Sequence, residues 1–285
     1  MCLFFACNPG KADVERGHRF FDRGDYDRAI RNYSWGLESY PSNPDIYFFR
    51  GLAWLKKENL DSALADFTKA IDLEPLYIKA YINRGSIWKE KRELDKALSD
   101  YHKVIEINPN FYQAYLVRAE LWLLKGCFNQ AVSDFTVAIE NKNESEAALI
   151  GRADSYYHMH EYEKAINDCQ KAIYLNPDYS FAYNNLAWIY STCMDEKYRD
   201  GDKAVRNAKK AVELNPTIIN LHTLAAAYAE NNMFEKAVNI MEEILLNKDG
   251  FKDDFQKHLI LFRDNHPLRV SPEDGLHNGS PLKEG

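Results

Sequence analysis

The sequence predicts an all-α fold in which similar helical units stack into a solenoid. Three observations predict it: the chain repeats its chemistry every 34 residues, each copy combines small with aromatic residues at fixed positions, and prolines close several copies. A period of this length indicates an array in which each unit buries its apolar face only against its neighbours. Three consecutive copies read Tyr47, Gly51, Trp54, Ala63, Phe67; Tyr81, Gly85, Trp88, Ala97, Tyr101; and Tyr115, Ala119, Trp122, Ala131, Phe135.

Each part of the pattern has a physical reason. Glycine or alanine at the eighth and twentieth positions lets two antiparallel helices approach closely, and aromatic residues at the fourth, eleventh and twenty-fourth positions fill the space beside them. Pro75, Pro109 and Pro177 end a second helix, because proline lacks an N–H donor and disfavours a helical residue before it. Gly24 and Gly126 supply turns between helices at little steric cost.

The pattern resembles the tetratricopeptide repeat, a helix–turn–helix unit. The resemblance implies a right-handed superhelical solenoid that acts as a non-catalytic scaffold for protein–protein interaction. It depends on seven copies in register rather than on any single motif. We expect these repeats at 10–43, 44–77, 78–111, 112–145, 146–179, 180–217 and 218–248.

The segments that flank the repeats differ in character. Residues 1–9 are expected to be a tail, and residues 271–285, rich in Gly, Pro, Ser and charge without an apolar period, are expected to be disordered. Residues 249–270 are expected to form a capping helix, because four apolar residues recur there at helical spacing. These are Phe251, Phe255, Leu259 and Phe262.

The sixth repeat has a longer turn than the others, around residues 195–201. Insertions in repeat arrays lie in loops on one face and can carry function. The stretch from Leu186 to Pro216 resembles a variant common in bacterial tetratricopeptide proteins. We therefore expect a bacterial origin.

Composition and charge argue against several classes of function. A net charge of −7 and a pI near 5.7 argue against a nucleic-acid partner, which usually needs a basic stripe. No apolar run approaches the roughly 18 residues of a transmembrane helix. Five cysteines without a C-x-x-C pair fit neither a zinc site nor a disulfide framework, and Cys169 is expected in the core.

The sequence also lacks the motifs of an enzyme. His158 and His160 are the only close histidine pair, and residues two apart do not share a helix face. The H-E-x-x-H spacing of zinc hydrolases and the glycine-rich loops that hold phosphates or dinucleotides do not occur. We therefore predict no catalytic residues, no cofactor and no metal.

The N-terminus leaves an alternative open. The run from Leu3 to Cys7 resembles the end of a bacterial lipoprotein signal, in which the cysteine becomes the lipidated first residue. No basic segment precedes this run, and it is shorter than a signal peptide requires, which favours a plain apolar tag. The alternative function is therefore an accessory lipoprotein of the bacterial envelope anchored through Cys7, and cytoplasmic localisation is the default.

Charged residues recur with the same period and predict a ladder of ion pairs. An antiparallel hairpin brings the seventh and twenty-third positions of a repeat to equal depth, because both lie eight residues from the turn. We interpret the ladder as structural rather than as a site for an acidic ligand, since a paired guanidinium is already satisfied. Its members are Arg50, Arg84, Arg118 and Arg152 with Asp66, Asp100, Asp134 and Asp168, and Arg16 and Asn32 stand at these positions in the first copy.

The ladder stops in the sixth and seventh repeats, where Leu186 and Leu224 replace the arginine. We infer that these two repeats pack differently from the first five.

The opposite face of each first helix is the candidate binding surface. In tetratricopeptide families this face lines a concave groove that holds peptides, so the resemblance implies a protein or peptide partner there. The alternative is packing against the next repeat, and periodicity alone does not separate the two. The candidate groove residues are Phe48, Phe49, Leu52, Leu55, Ile82, Asn83, Leu116, Val117 and Trp188.

One known kind of groove is not expected. A tetratricopeptide subgroup clamps the C-terminal carboxylate of chaperones with lysine, asparagine and arginine at set positions of three consecutive repeats. Asn83 and Lys79 match that pattern only in isolation. We therefore predict no chaperone carboxylate clamp.

Overall fold

The structure is a computed structural model that describes residues 9–141, 145–247 and 252–270. The candidate lipidation site Cys7, Phe251 of the predicted cap and the tail 271–285 lie outside the described residues. No helix in the described ranges is both long and apolar enough to cross a bilayer.

The described residues confirm the all-α fold class. They form fifteen α-helices and one short 3-10 helix at Glu196–Tyr198, without a strand, and consecutive helices pack as pairs. Each predicted repeat contains one such pair. The α-helices are α1 Pro9–Asp22, α2 Tyr26–Ser39, α3 Pro44–Lys56, α4 Leu60–Leu73, α5 Ile78–Glu90, α6 Leu94–Ile107, α7 Tyr112–Leu124, α8 Phe128–Asn141, α9 Glu146–His158, α10 Tyr162–Leu175, α11 Ser180–Thr192, α12 Gly201–Leu214, α13 Ile218–Glu230, α14 Phe234–Asn247 and α15 Lys252–Arg263.

The chain divides into two compact units, Met1–Ala114 (unit 1) and Tyr115–Gly285 (unit 2). In unit 1 the two helices of each repeat approach so closely that a side chain would not fit between them. A Cβ atom added to Gly51 would lie 2.8 Å from the ring of Phe67, and one added to Gly85 would lie 2.9 Å from the ring of Tyr101. Glycine at the eighth position is therefore required by the aromatic residue of the partner helix.

Unit 2 has one continuous core that includes the cap. First helices of consecutive repeats pack side by side, since α11 contacts both α9 and α13. Cys169 is fully buried in this core, and burial raises the pKa of its thiol well above the ordinary value. Helix α15 packs on α14, and its apolar residues Phe255, Leu259 and Phe262 are buried.

The turn between the two helices of a repeat uses a left-handed residue at the fifteenth position. Glycine occupies it at Gly24 and Gly126, as the sequence indicates, with φ of 76° and 73°. The other repeats that keep the short turn place a residue with a side chain in this strained region. These are Glu58, Arg92, His160 and Asn232, with φ between 57° and 62°.

The predicted capping helix is shorter than expected, because α15 ends at Arg263. Asn265 adopts a left-handed φ of 59°, and the N–H of His266 donates to the carbonyl of Leu261 at 2.9 Å. This is the hydrogen bond that closes a helix at a left-handed residue, and Pro267 follows it. Residues 266–270 continue without helical structure, and we call residues 264–270 the strap.

The left-handed turns predict how single substitutions change stability. Replacing Arg92 with glycine (Arg92→Gly) is expected to raise the free energy of unfolding by about 1 kcal/mol, because it removes the clash of Cβ in this conformation. Gly126→Ala introduces the same clash in another repeat and should lower the free energy of unfolding by about 1 kcal/mol. Urea unfolding followed by circular dichroism measures both, and equal midpoints for the two variants would contradict the strain.

Candidate functional site

The candidate site of unit 1 lies on the exposed side of its first helices, which we call the first-helix face. On α3 and α5 this face presents the half-buried apolar side chains of Phe49, Leu52, Leu55 and Ile82. Phe49 also packs against the preceding repeat, with its ring centroid 4.5 Å from that of His18. Leu52, Leu55 and Ile82 are the other half-buried apolar residues of the predicted groove in unit 1.

Two predicted groove residues of unit 1 have other contacts. Phe48 is buried, with its ring centroid 5.1 Å from that of Tyr77 and 5.8 Å from that of Phe67. It packs against α4 and against Tyr77, which precedes α5, and this corrects the prediction that it lines an open groove. The side-chain amide of Asn83 donates to the backbone carbonyl of Lys79 at 2.8 Å, within its own helix.

The first-helix face of unit 2 is different, because most of it is covered. Trp188 is only 4% exposed, and its ring lies 5.6 Å from that of His222 on the next first helix. The prediction that Trp188 lines an open groove is therefore wrong. Leu116 is half-buried against the core, and Val117 is half-buried.

The strap lies across the first-helix face of unit 2. The N–H of Val270 donates to the carbonyl of Thr192 at the end of α11 (3.2 Å), and the hydroxyl of Tyr157 on α9 donates to the carbonyl of Val270 (3.4 Å). The side chains of Leu268 and Val270 are each 4% exposed. Sequence reasoning missed this arrangement, since the strap carries no periodic signal.

An acidic residue of α13 holds the strap electrostatically. The Arg269 guanidinium lies 2.6 Å from the Glu230 carboxylate and also donates to the carbonyl of Ser191 at 3.2 Å. Arg199, from the long turn of the sixth repeat, approaches the same carboxylate at 3.3 Å. The inserted turn therefore supplies one side of the strap's binding surface.

The arginine ladder forms two parallel hydrogen bonds in every complete copy. Arg50 donates from Nε and Nη2 to the two carboxylate oxygens of Asp66, at 2.8 and 2.7 Å. The pKa of the Arg50 guanidinium is raised, chiefly by its hydrogen bond to Asp66. Planar pairs of this kind are among the strongest charge-assisted hydrogen bonds. The same geometry joins Arg84 to Asp100, Arg118 to Asp134 and Arg152 to Asp168.

Three ladder arginines also contact the preceding repeat, which sequence reasoning missed. The third nitrogen of Arg84, Nη1, lies 3.1 Å from the hydroxyl of Thr68, to which it donates. Each of these three pairs therefore ties its own hairpin to the preceding one. The recurrence of a hydroxyl at the twenty-fifth position, in Ser34, Thr68 and Thr136, could have indicated this contact.

The first repeat does not form the ladder pair. Arg16 forms an ion pair with Asp13 on its own helix, and Asn32 donates to the carbonyl of Arg28. The reason is that asparagine replaces the aspartate of the other copies, so no carboxylate faces the arginine there.

The close histidine pair has packing contacts. The His158 ring stacks on Phe128 at a centroid distance of 4.7 Å, and His160 is the left-handed residue of its turn, with Nδ1 3.1 Å from the Tyr162 hydroxyl. Within the described ranges, no group of three or more His, Cys, Asp or Glu side chains is placed to hold a metal ion.

Comparison with known proteins identifies the repeats. Three family models described as tetratricopeptide repeat match the chain, over residues 14–78, over 78–111 and 147–179, and over 169–203. No curated protein matches it.

Solved structures share the fold. A tetratricopeptide repeat protein from Parabacteroides merdae superposes with a TM-score of 0.68 at 20% identity, covering 90% of this chain and 99% of that one. MamA from Desulfovibrio magneticus has a TM-score of 0.56 at 16% identity, covering 60% of this chain and 97% of that one. At these identities the likeness shows the fold alone.

The ladder gives a prediction for stability. Arg84→Ala should lower the free energy of unfolding by about 3–5 kcal/mol, because it leaves the Asp100 carboxylate buried without its counter-charge. Arg84→Lys should recover only part of this loss, since an ammonium cannot make two parallel hydrogen bonds to one carboxylate. Arg31→Ala, at an exposed position of α2 in the same unit, is the matched control. Chemical unfolding measures all three, and an Arg84→Ala protein as stable as the control would contradict the structural role.

Proposed function

The chain belongs to the tetratricopeptide repeat family, and from that premise we propose that it is a non-catalytic scaffold that binds an apolar segment of a partner protein on the first-helix face of unit 1. Repeats of this family support an interaction scaffold as the general function. A fold does not specify its ligand, so the choice of surface depends on the side chains present.

The observation that carries the proposal is the contrast between two half-buried leucines and the fully packed Phe48 beside them. Leu52 and Leu55 lie one turn apart on α3, and Ile82 continues the same face on α5. Phe48 packs against Phe67 on α4 and Tyr77 before α5 and so holds α3 in place. A row of apolar side chains on a rigid support suits an extended or helical partner segment with hydrophobic anchors.

Charge supports an apolar partner rather than a nucleic acid or an acidic tail. The chain carries a net charge of −7, and the ladder arginines of unit 1 are occupied by their own aspartates. These two arginines are therefore not available to a polyanion. We expect the affinity for the partner to change little with ionic strength, because charge pairing is a minor term.

Substitution of these half-buried leucines tests the proposal. Leu52→Ala and Leu55→Ala should each weaken partner binding by about 2 kcal/mol if they are anchors. Because each side chain is partly buried, its loss also lowers stability, and circular dichroism checks that both variants are folded at the assay temperature. Partners are first captured with the wild-type chain and identified by mass spectrometry. Their affinities for purified variants are then measured by calorimetry at low and high salt.

Two control variants make the result specific. Leu76→Ala removes a leucine of the same unit that is 66% exposed but lies in the loop between α4 and α5, so it should leave affinity unchanged. Phe48→Ala should instead lower the free energy of unfolding by about 3–5 kcal/mol, since it leaves a cavity beside Phe67 and Tyr77. Unchanged affinity in both leucine variants, or a steep salt dependence, would place the binding surface elsewhere.

A further inference from the structure

The strap contacts unit 2 in the way that a bound peptide contacts a recognition site. Residues two apart in an extended chain point to the same side, and Leu268 and Val270 are both buried while Arg269 between them reaches Glu230. The strap backbone bonds to Thr192 and Tyr157, which belong to different repeats. Main-chain hydrogen bonds combined with alternate side-chain contacts are typical of extended-peptide recognition.

The strap is held by two kinds of contact. Among the described residues, its backbone makes two hydrogen bonds to the repeats, at 3.2 and 3.4 Å. Both are longer than the usual distance of about 2.9–3.0 Å between donor and acceptor. The side chains of Leu268 and Val270, in contrast, are buried in the core of unit 2. An occupant that replaces the strap must therefore supply the same apolar contacts.

We propose that the first-helix face of unit 2 is a recognition site for an extended protein segment with an apolar–arginine–apolar triplet, and that the chain's own Leu268, Arg269 and Val270 occupy this site. Glu230 selects the arginine. The carbonyl of Ser191 accepts a hydrogen bond from its guanidinium, and the carbonyl of Thr192 accepts one from the backbone N–H of the next residue. A partner segment of the same chemistry binds when the strap is released. The proposal goes beyond the binding surface of unit 1 and uses none of its residues.

Attachment to the same chain gives the strap an advantage over a free segment. A tethered occupant acts at an effective concentration in the millimolar range when the connection is short. A partner therefore binds the intact chain with an apparent affinity reduced by the fraction of time that the strap is bound. Substitutions in the strap that weaken its contacts should raise the affinity for a partner segment, whereas substitution of Glu230 in the site should abolish partner binding.

The experiment uses the full chain and, as the probe, a fluorescent peptide with the sequence of residues 264–270. Fluorescence anisotropy measures its affinity for the wild type and for a released variant that combines Arg269→Glu with Val270→Asp. We expect the released variant to bind at least ten-fold more tightly than the wild type. Adding Glu230→Gln to it should remove the binding, as should replacing the arginine of the probe with glutamate.

Arg263→Ala is the matched control. Arg263 lies on α15 and pairs with Glu242, so its loss should leave probe affinity at the wild-type value. A released variant that keeps its helical content but does not bind the probe would overturn the proposal. So would a wild-type dimer that disappears on release of the strap, because the segment would then belong to a second copy.

Hydrogen exchange in the wild type provides a test that does not depend on a variant's folding. The amide of Val270 should exchange at least ten-fold faster than that of Ala187 in the core of α11, and excess probe should accelerate it further. Equal exchange rates at the two amides, unaffected by the probe, would show a permanent structural segment and overturn the proposal. Loss of partner binding on unit 1 would leave these outcomes unchanged, so the two proposals fail separately.

Discussion

The close approach of paired helices is the constraint on which the other features depend. Where Gly51 faces Phe67 and Gly85 faces Tyr101, there is no room for even one additional carbon atom. Each repeat of unit 1 is therefore a closely packed hairpin with an aromatic ring between its two helices. The relative depth of residues on the two helices is fixed as a result, which brings Arg84 opposite Asp100.

The ladder extends this rigidity from one hairpin to the next within a unit. Arg84 bonds to Asp100 in its own repeat and to Thr68 in the preceding one, and Arg152 bonds in the same way to Asp168 and Thr136. Stability in a repeat array is a sum of repeat and nearest-neighbour terms, so these bonds contribute to both. A rigid stack presents its surface residues in a fixed arrangement, which lowers the entropic cost of binding a partner.

The two units use the corresponding face differently. On unit 1, Leu52, Leu55 and Ile82 stay half-exposed on the first helices. On unit 2, the long turn of the sixth repeat contributes Arg199, and the strap contributes Arg269, to one carboxylate at Glu230. In these repeats leucines replace the ladder arginine. Leu186 and Leu224 are both buried in the core of unit 2. Repeats six and seven are thus held in place by other interactions than the ladder pairs of repeats two to five.

The sequence by itself determined the helical repeats and the arginine–aspartate ladder. Both depend on residues at a fixed spacing, because helix geometry and the 34-residue period bring an arginine and an aspartate together in repeats two to five, as they do for Arg50 and Asp66. Only the tertiary structure decided that Phe48 is buried against Phe67 and Tyr77 while Leu52 stays partly exposed, since both occupy the same helix face and periodicity describes them equally. It also decided that the strap covers unit 2. Val270 meets Tyr157 across 113 residues of sequence, and a single non-repeating contact at that separation leaves no periodic trace in the chain.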